Sequence, residues 1–429
     1  MSTEESWPTS ANSLSKPTRK AMNILKNSAL PCAFGIAVIL SGCSKSVQVN
    51  IANEMPSERA GEIVGVDLSD ISSRVGETFK IIDADKNEVP YQITYDGKLI
   101  FPATVPANST ARYLVVEGEP SPVDTVAVGY YYHHRQDDIA WENEKAAYRA
   151  YGPGTQNRGE RVYGYDVFTK SVEYPVVDHR YQLELDPANW ERPNELRREG
   201  RHAEADSLVN LFSYHVDHGN GMDVYTVGPT LGGGASALMA DSALVYPYAY
   251  KEYEILDNGP LRFTVKMIYN PLTVGGDTAV VETRVITLDS GSHLNRTELK
   301  YDGLSRETPL ASGIVVHRQN PDGAVWDDSN NYIAYADSTD NVNNDNGVIY
   351  LGAVVPGGYS KAGLLMMDEP KGDALGHVIA ETAYAPGDTY VYYWGSGWSK
   401  AGIDSYADWQ KYLADYAGRL DSPLKITVE

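Results

Sequence analysis

The chain alternates. From Val47 to about Val123, short runs such as VQVNIAN, FKIIDAD, VPYQITY, KLIFPATV and ARYLVVEG place apolar residues at every second position. Turn signals (DKN, YDGK, PANS) separate them. Period-2 patterning at this spacing predicts a small antiparallel β-sandwich over residues 44–123. Beyond a Ser-Pro-Val-Asp linker, residues 124–429 carry longer runs of the same kind, among them LRFTVKMIYN, TAVVETRVITLD, ASGIVVHRQN, GHVIAETAYA and TYVYYWGSGW. Together they predict a large multi-sheet antiparallel β-sandwich, supersandwich-like, so the fold class expected is all-β. Helical spacing interrupts the strands twice, at Asn194–Leu211 and Ser405–Leu420. The first is expected as an insertion. DSTDNVNNDNG at 337–347 is expected as a surface loop without EF-hand spacing.

Residues 1–43 follow another pattern. A basic flank (Arg19, Lys20, Lys26) precedes an apolar run, Ala29–Leu40, of signal-peptide length, with Met22 an alternative start. The run ends in Leu40-Ser41-Gly42-Cys43, which resembles a bacterial lipobox. Cleavage before Cys43 and lipidation of its thiol are therefore expected, giving a membrane anchor and not a span. The location expected from this is the cell envelope, as a lipoprotein of the outer membrane facing the periplasm. Cys32 and Cys43 are the only cysteines, so the mature body has no disulfide and no cysteine ligand or nucleophile.

The formal net charge is −22. That excludes nucleic acid as a natural partner, because phosphate binding needs a basic footprint. The 31 tyrosines against 6 phenylalanines are a composition met in sugar-handling β proteins.

Ionisable residues concentrate in four segments. SYHVDHGNGMDVYTVGPTLGGGA (213–235) combines His215, His218 and Asp223 with a high density of glycine, the material of a functional loop. WENEKAAYRAYGP (141–153) offers Glu142, Asn143 and Arg149 beside Trp141 and Tyr151, groups able to grip sugar hydroxyls and a carboxylate. YGYDVFTKS (163–171) adds Tyr165, Asp166 and Lys170. In GIVVHRQN, His317 lies in an apolar strand, where a core role competes with substrate binding. His215 and His218 leave room for a divalent cation, but HVDH is no zinc motif, and no cofactor is expected.

These motifs, with YKEYEILDNGPLRFTV (250–265), resemble the secreted family catalogued as domain of unknown function 4861. The resemblance covers nearly the whole mature chain. It implies a lipoprotein of polysaccharide breakdown, similar to an oligosaccharide dehydratase acting on ulvan fragments. Such an enzyme removes water across C4–C5 of a non-reducing-end uronic acid, and its partner is an acidic oligosaccharide. Elimination needs a cation on the carboxylate, a base at C5 and an acid at the C4 hydroxyl. Arg149 or Lys170 is expected for the first, and His215 with Tyr165 for the others. Lys170 and Tyr165 also compete as base. Glu142, Asn143, Asp166, His218, Asp223 and His317 complete the expected substrate contacts. Two alternatives stay open. One is a non-catalytic glycan binder using Trp394, Trp398 and tyrosine clusters. The other is a glycoside hydrolase using two of Glu142, Asp166 and Asp223.

Overall fold

A computed structural model describes residues 46–429; the leader with its lipobox and Cys43 lies outside the described residues. The fold is mostly β, in several antiparallel sheets. Among the described residues no helix is long and apolar enough to cross a membrane.

The first layer is the expected small sandwich. A five-stranded sheet faces a three-stranded one, and Val47, Val49, Ile51, Phe79, Leu99, Phe101 and Val115 fill the space between. One strand of it comes from the far end of the chain. Lys425–Val428 pairs antiparallel with Ser46–Asn53, Val49 opposite Val428 and Ile51 opposite Ile426. Gln92 holds this layer to the large one, its side chain accepting from the Leu261 and Arg262 amides at 3.0 and 2.8 Å.

The large part is built on a nine-stranded and a five-stranded sheet packed over one extensive core. A third, four-stranded sheet of Val128–Tyr132, Asp138–Glu142, Ala147–Ala150 and Tyr165–Phe168 closes one end. Its register places Arg149 beside Ala140 on one side and Asp166 on the other. Period 2 then divides its residues. Ile139, Trp141, Tyr148, Tyr165 and Val167 face the core, where Tyr165 stacks on Trp394 at 4.0 Å. The opposite face carries Asp138, Glu142, Arg149, Asp166 and Lys170, all buried. That face is polar yet dry because an insertion covers it.

The insertion differs from the single helix expected at Asn194–Leu211. It contains three helices, Val177–Leu185, Pro187–Arg198 and His202–Val209. Asp186 caps the second through the Ala188 amide, with Pro187 at its first position. Gly200 at φ +77° ends it before the expected stretch is half done. The helix predicted at the C-terminal side is found at Tyr406–Asp421, Ser405 accepting from the Asp408 amide. A helix at Leu68–Val75 was not expected; Ile71 and Val75 bury its apolar stripe.

Candidate functional site

Two ionic centres occupy the polar face of the four-stranded sheet. In the first, Lys170 Nζ lies 2.7 Å from Glu142 Oε2 and donates to the Asn143 carbonyl at 2.7 Å. Glu142 also accepts from the Val176 and Val177 amides at 2.8–2.9 Å. A carboxylate at the start of Val177–Leu185 complements the helix dipole. Asn143 is held by the Asp289 and Ser292 carbonyls at 2.7 Å each. Glu142, held by Lys170, therefore positions the start of the insertion, and Asn143 ties the sheet to the turn at 289–292.

Arg149 is the hub of the second centre. It binds Asp166, Asp223 (3.1 Å) and the hydroxyls of Tyr151 (2.9 Å) and Tyr181 (3.2 Å). Its guanidinium also lies 4.6 and 4.9 Å from the Tyr151 and Phe168 rings. Such dense pairing offsets the cost of desolvating a cation. Arg135 adds a second charge, 3.6 Å from Asp138. Burial pushes Asp138 up to about 6. It pushes Asp223 up to about 7, with the neighbouring Asp166 charge acting in the same direction. Asp223 thus titrates near neutrality.

The loop Ser213–Tyr225 roofs this centre. Gly221, at φ +93°, lets it approach the sheet: a Cβ there would sit 2.2 Å from the Thr169 carbonyl oxygen. His215 is exposed, its Nδ1 held by the Asp223 carbonyl at 2.7 Å. His218 Nε2 contacts the Ser213 carbonyl at 3.0 Å. Among the described residues no group of three or more His, Cys, Asp and Glu stands in a metal-holding arrangement.

The next turn of the site comes from the five- and nine-stranded sheets. His317 ends the strand Thr308–His317, and Asp337 ends Tyr332–Asp337. His317 Nδ1 lies 2.6 Å from Asp337 Oδ2, and both residues are buried. A carboxylate only accepts, so Nδ1 donates and Nε2 carries the lone pair of the neutral ring. Nε2 is buried without a hydrogen-bond partner among the described residues, as are the hydroxyls of Tyr225 and Thr339. The Tyr225 ring meets the His317 ring edge-on at 5.8 Å. Thr339 is fixed by its amide on Asp337 at 2.7 Å. Buried polar atoms are rarely left unpaired, and here three around one carboxylate are available to bond a polar group. The Asp340 amide donates to the Val224 carbonyl at 3.0 Å, so the segment after Asp337 lies against the loop that carries Asp223.

The structure therefore brings Arg149, Asp166, Asp223, His215 and His317 into one neighbourhood. Tyr165 is outside it, on the core face, its hydroxyl accepting from Arg284 at 2.9 Å. Trp141, Trp394 and Trp398 are also interior, so the tryptophan platform of the glycan-binder alternative is absent from the surface. Sequence reasoning missed Asp337, Tyr225 and Asp138, whereas Tyr151 was named with Arg149 and is found on it. Asp337 was assigned to a surface loop, and it in fact closes a buried strand. The available signal was a lone carboxylate after YIAYA, matching the lone histidine after GIVV.

The fold and the cluster define an all-β protein of stacked antiparallel sheets, with a buried cluster of ionisable residues roofed by a glycine-rich loop. The chain belongs to the family described as Domain of unknown function (DUF4861), whose model matches residues 51–426. It is 26% identical over 418 residues to the uncharacterized protein P7 of Formosa agariphila, covering 92% of this chain and 97% of that one. Among solved structures it is similar to a protein in glycosyl hydrolase family 38 from Enterococcus faecalis (TM-score 0.46, 8% identity, 90% of this chain). An α-mannosidase from Enterococcus faecalis V583 gives a TM-score of 0.45 at 9% identity, again over 90% of this chain. The chain spans about half the length of those two proteins, 47% and 46%.

Proposed function

We propose that the protein is a carbon–oxygen lyase that eliminates water across C4–C5 of a non-reducing-end uronic acid, in oligosaccharides of ulvan type. One observation carries the reading: an aspartate-oriented histidine whose Nε2 has no partner among the described residues, beside a tyrosine whose hydroxyl has none either. His317 Nε2 takes the C5 proton, and the C–H electrons form the C4–C5 double bond. The C4–O bond breaks, Tyr225 protonates the departing hydroxyl, and water leaves. Exchange with solvent then returns a proton to Tyr225 and removes one from His317. Asp337 holds the imidazole in the productive tautomer. His215, exposed at the rim, supports substrate binding or proton exchange. The motif resemblance to a family similar to an ulvan-oligosaccharide dehydratase supports the same chemistry.

A second reading, glycoside hydrolysis, is favoured by Asp223, a carboxyl that burial pushes up to about 7, sharing Arg149 with a second carboxyl, Asp166. Mass spectrometry of uronate oligosaccharides incubated with the enzyme separates the two. Loss of one water is expected, with a rise in ultraviolet absorbance from the conjugated product. Gain of one water would replace elimination by hydrolysis. His317→Ala and Asp337→Asn are each expected to lower kcat by about 10²–10⁴-fold. A His317→Ala enzyme with normal kcat would remove the dyad from the mechanism.

A further inference from the structure

A buried guanidinium close to Asp223 has no anion of its own. Arg180 lies on the helix Val177–Leu185 and is 4% exposed. Its Nη2 donates to the Asn220 carbonyl, while Nε and Nη1 have no partner among the described residues. Arginine is always charged in proteins, and burying it with idle donors is costly.

The carboxylates around it are committed elsewhere. Glu142, Asp217 and Asp223 all act on its charge. Glu142 serves Lys170 and two helix amides. Asp217 accepts from the Gly219 and Gly221 amides at 2.8 and 2.9 Å. Asp223 serves Arg149. The nearby Lys170 adds a like charge, which makes the need for an external anion greater. Close to Arg180, Tyr174 is 61% exposed, and Ser171 Oγ donates to the Gly219 carbonyl at 3.3 Å beside Asn220.

We infer that Arg180 is the residue that recognises the acidic group of the substrate: its idle N–H donors bind the carboxylate of an acidic sugar, with the Tyr174 ring available for the sugar face. The sequence suggested Arg149 or Lys170 for this part, but among the described residues two aspartates and two tyrosines leave Arg149 only its Nε idle, and Lys170 is held by Glu142 and the Asn143 carbonyl. Arg180 has two idle donor nitrogens, Nε and Nη1, and no ion pair of its own among the described residues. Burial also pulls its pKa down from the ordinary arginine value, the mark of a charge short of partners. The inference rests on the reading of the substrate as an acidic glycan, but not on what reaction follows.

Its test is accordingly a binding measurement without turnover. Isothermal titration of the full chain with sodium glucuronate should show saturable binding. Arg180→Gln should weaken it by about 10–100-fold, the worth of hydrogen bonds to a charged group. Arg180→Lys should retain part of the affinity, because it keeps the charge and loses the planar donors. The melting temperature of Arg180→Gln should equal or exceed that of the parent, since a functional buried charge is held at a cost in stability. Inorganic sulfate competing with glucuronate would extend the site to sulfate esters; absence of competition would confine it to carboxylates, and both agree with the inference. Unchanged glucuronate affinity in Arg180→Gln would overturn it. So would a collapse of the fold in both variants, which would mark Arg180 as structural. Loss of binding in the variants together with a hydrolysed product would keep the Arg180 site and discard the elimination.

Discussion

At the scale of single residues, the site is a set of charges that the fold holds against their preference. Asp223 is the clearest case. Its folded pKa of about 7 lies above the ordinary aspartate value of about 3.9, so the native state binds this proton more tightly than the unfolded chain. The associated stability is complete below about pH 4 and is lost as pH rises through about 7. Asp138, raised to about 6, acts in the same sense. The buried imidazoles His293 and His377 act oppositely. Burial lowers them to about 4 and about 3, so their contribution is complete above about pH 6.5 and lost on acidification. Asp223→Asn removes one titration and leaves those histidines in place. Melting temperatures at pH 5 and pH 8 should therefore fall less between the two values in the variant than in the parent. Parallel curves would show that Asp223 is ionised throughout. Part of this site was legible in the sequence, because Arg149, Asp166, Asp223 and His317 stand out as ionisable groups within apolar or glycine-rich context. What was not legible is pairing. Lys170 and Tyr165 lie five residues apart and belong to different faces of one sheet, and no local pattern says that Asp337 meets His317 from another sheet.

At the scale of elements, the four-stranded sheet separates stability from chemistry by alternation. Its core face packs Trp141, Tyr148 and Tyr165 against Trp394, and its other face carries the ions. The glycine-rich loop docks on the edge strand Tyr165–Phe168 through Gly232, paired with Tyr165 in a parallel bridge. Gly232 has φ +58°, and a Cβ there would fall 2.3 Å from the Tyr165 carbonyl oxygen. Gly228 has nearly the same φ, +57°, with nothing within 4 Å of an added Cβ. The pair isolates docking from backbone strain. Gly228→Ala is expected to cost about 1 kcal/mol. Gly232→Ala should cost about 1–3 kcal/mol more, because the loop must leave the strand. Urea denaturation of both variants checks this, and equal losses would mean that the loop does not dock there. The strands themselves were readable from alternation. The three-helix insertion was read as one helix because Gly200 looks tolerable within a run of good helix formers, and the αL stop it provides is a backbone property that periodicity does not register.

At the scale of the whole molecule, the small sandwich is shared between the two ends of the described chain. Lys425–Val428 covers the edge of Ser46–Asn53, and the Gln48 amide donates to the Glu429 carbonyl at 3.1 Å. Removing residues 423–429 would uncover that edge and the apolar Ile51 beneath Ile426. Limited proteolysis of the truncated chain should cut first within residues 46–117 and leave the large sandwich intact. Concentration-dependent association through the bare strand is also expected. Uniform resistance would show that the last strand is dispensable. The same closure sets an order in time. Gln48 and Glu429 are 381 residues apart, and ribosomes add about 5–20 residues per second. The first strand to emerge thus waits on the order of tens of seconds for its neighbour. During that interval the nascent chain exposes a pairing edge that only a completed copy can cover, so an interrupted translation product is chemically distinguishable from a finished one.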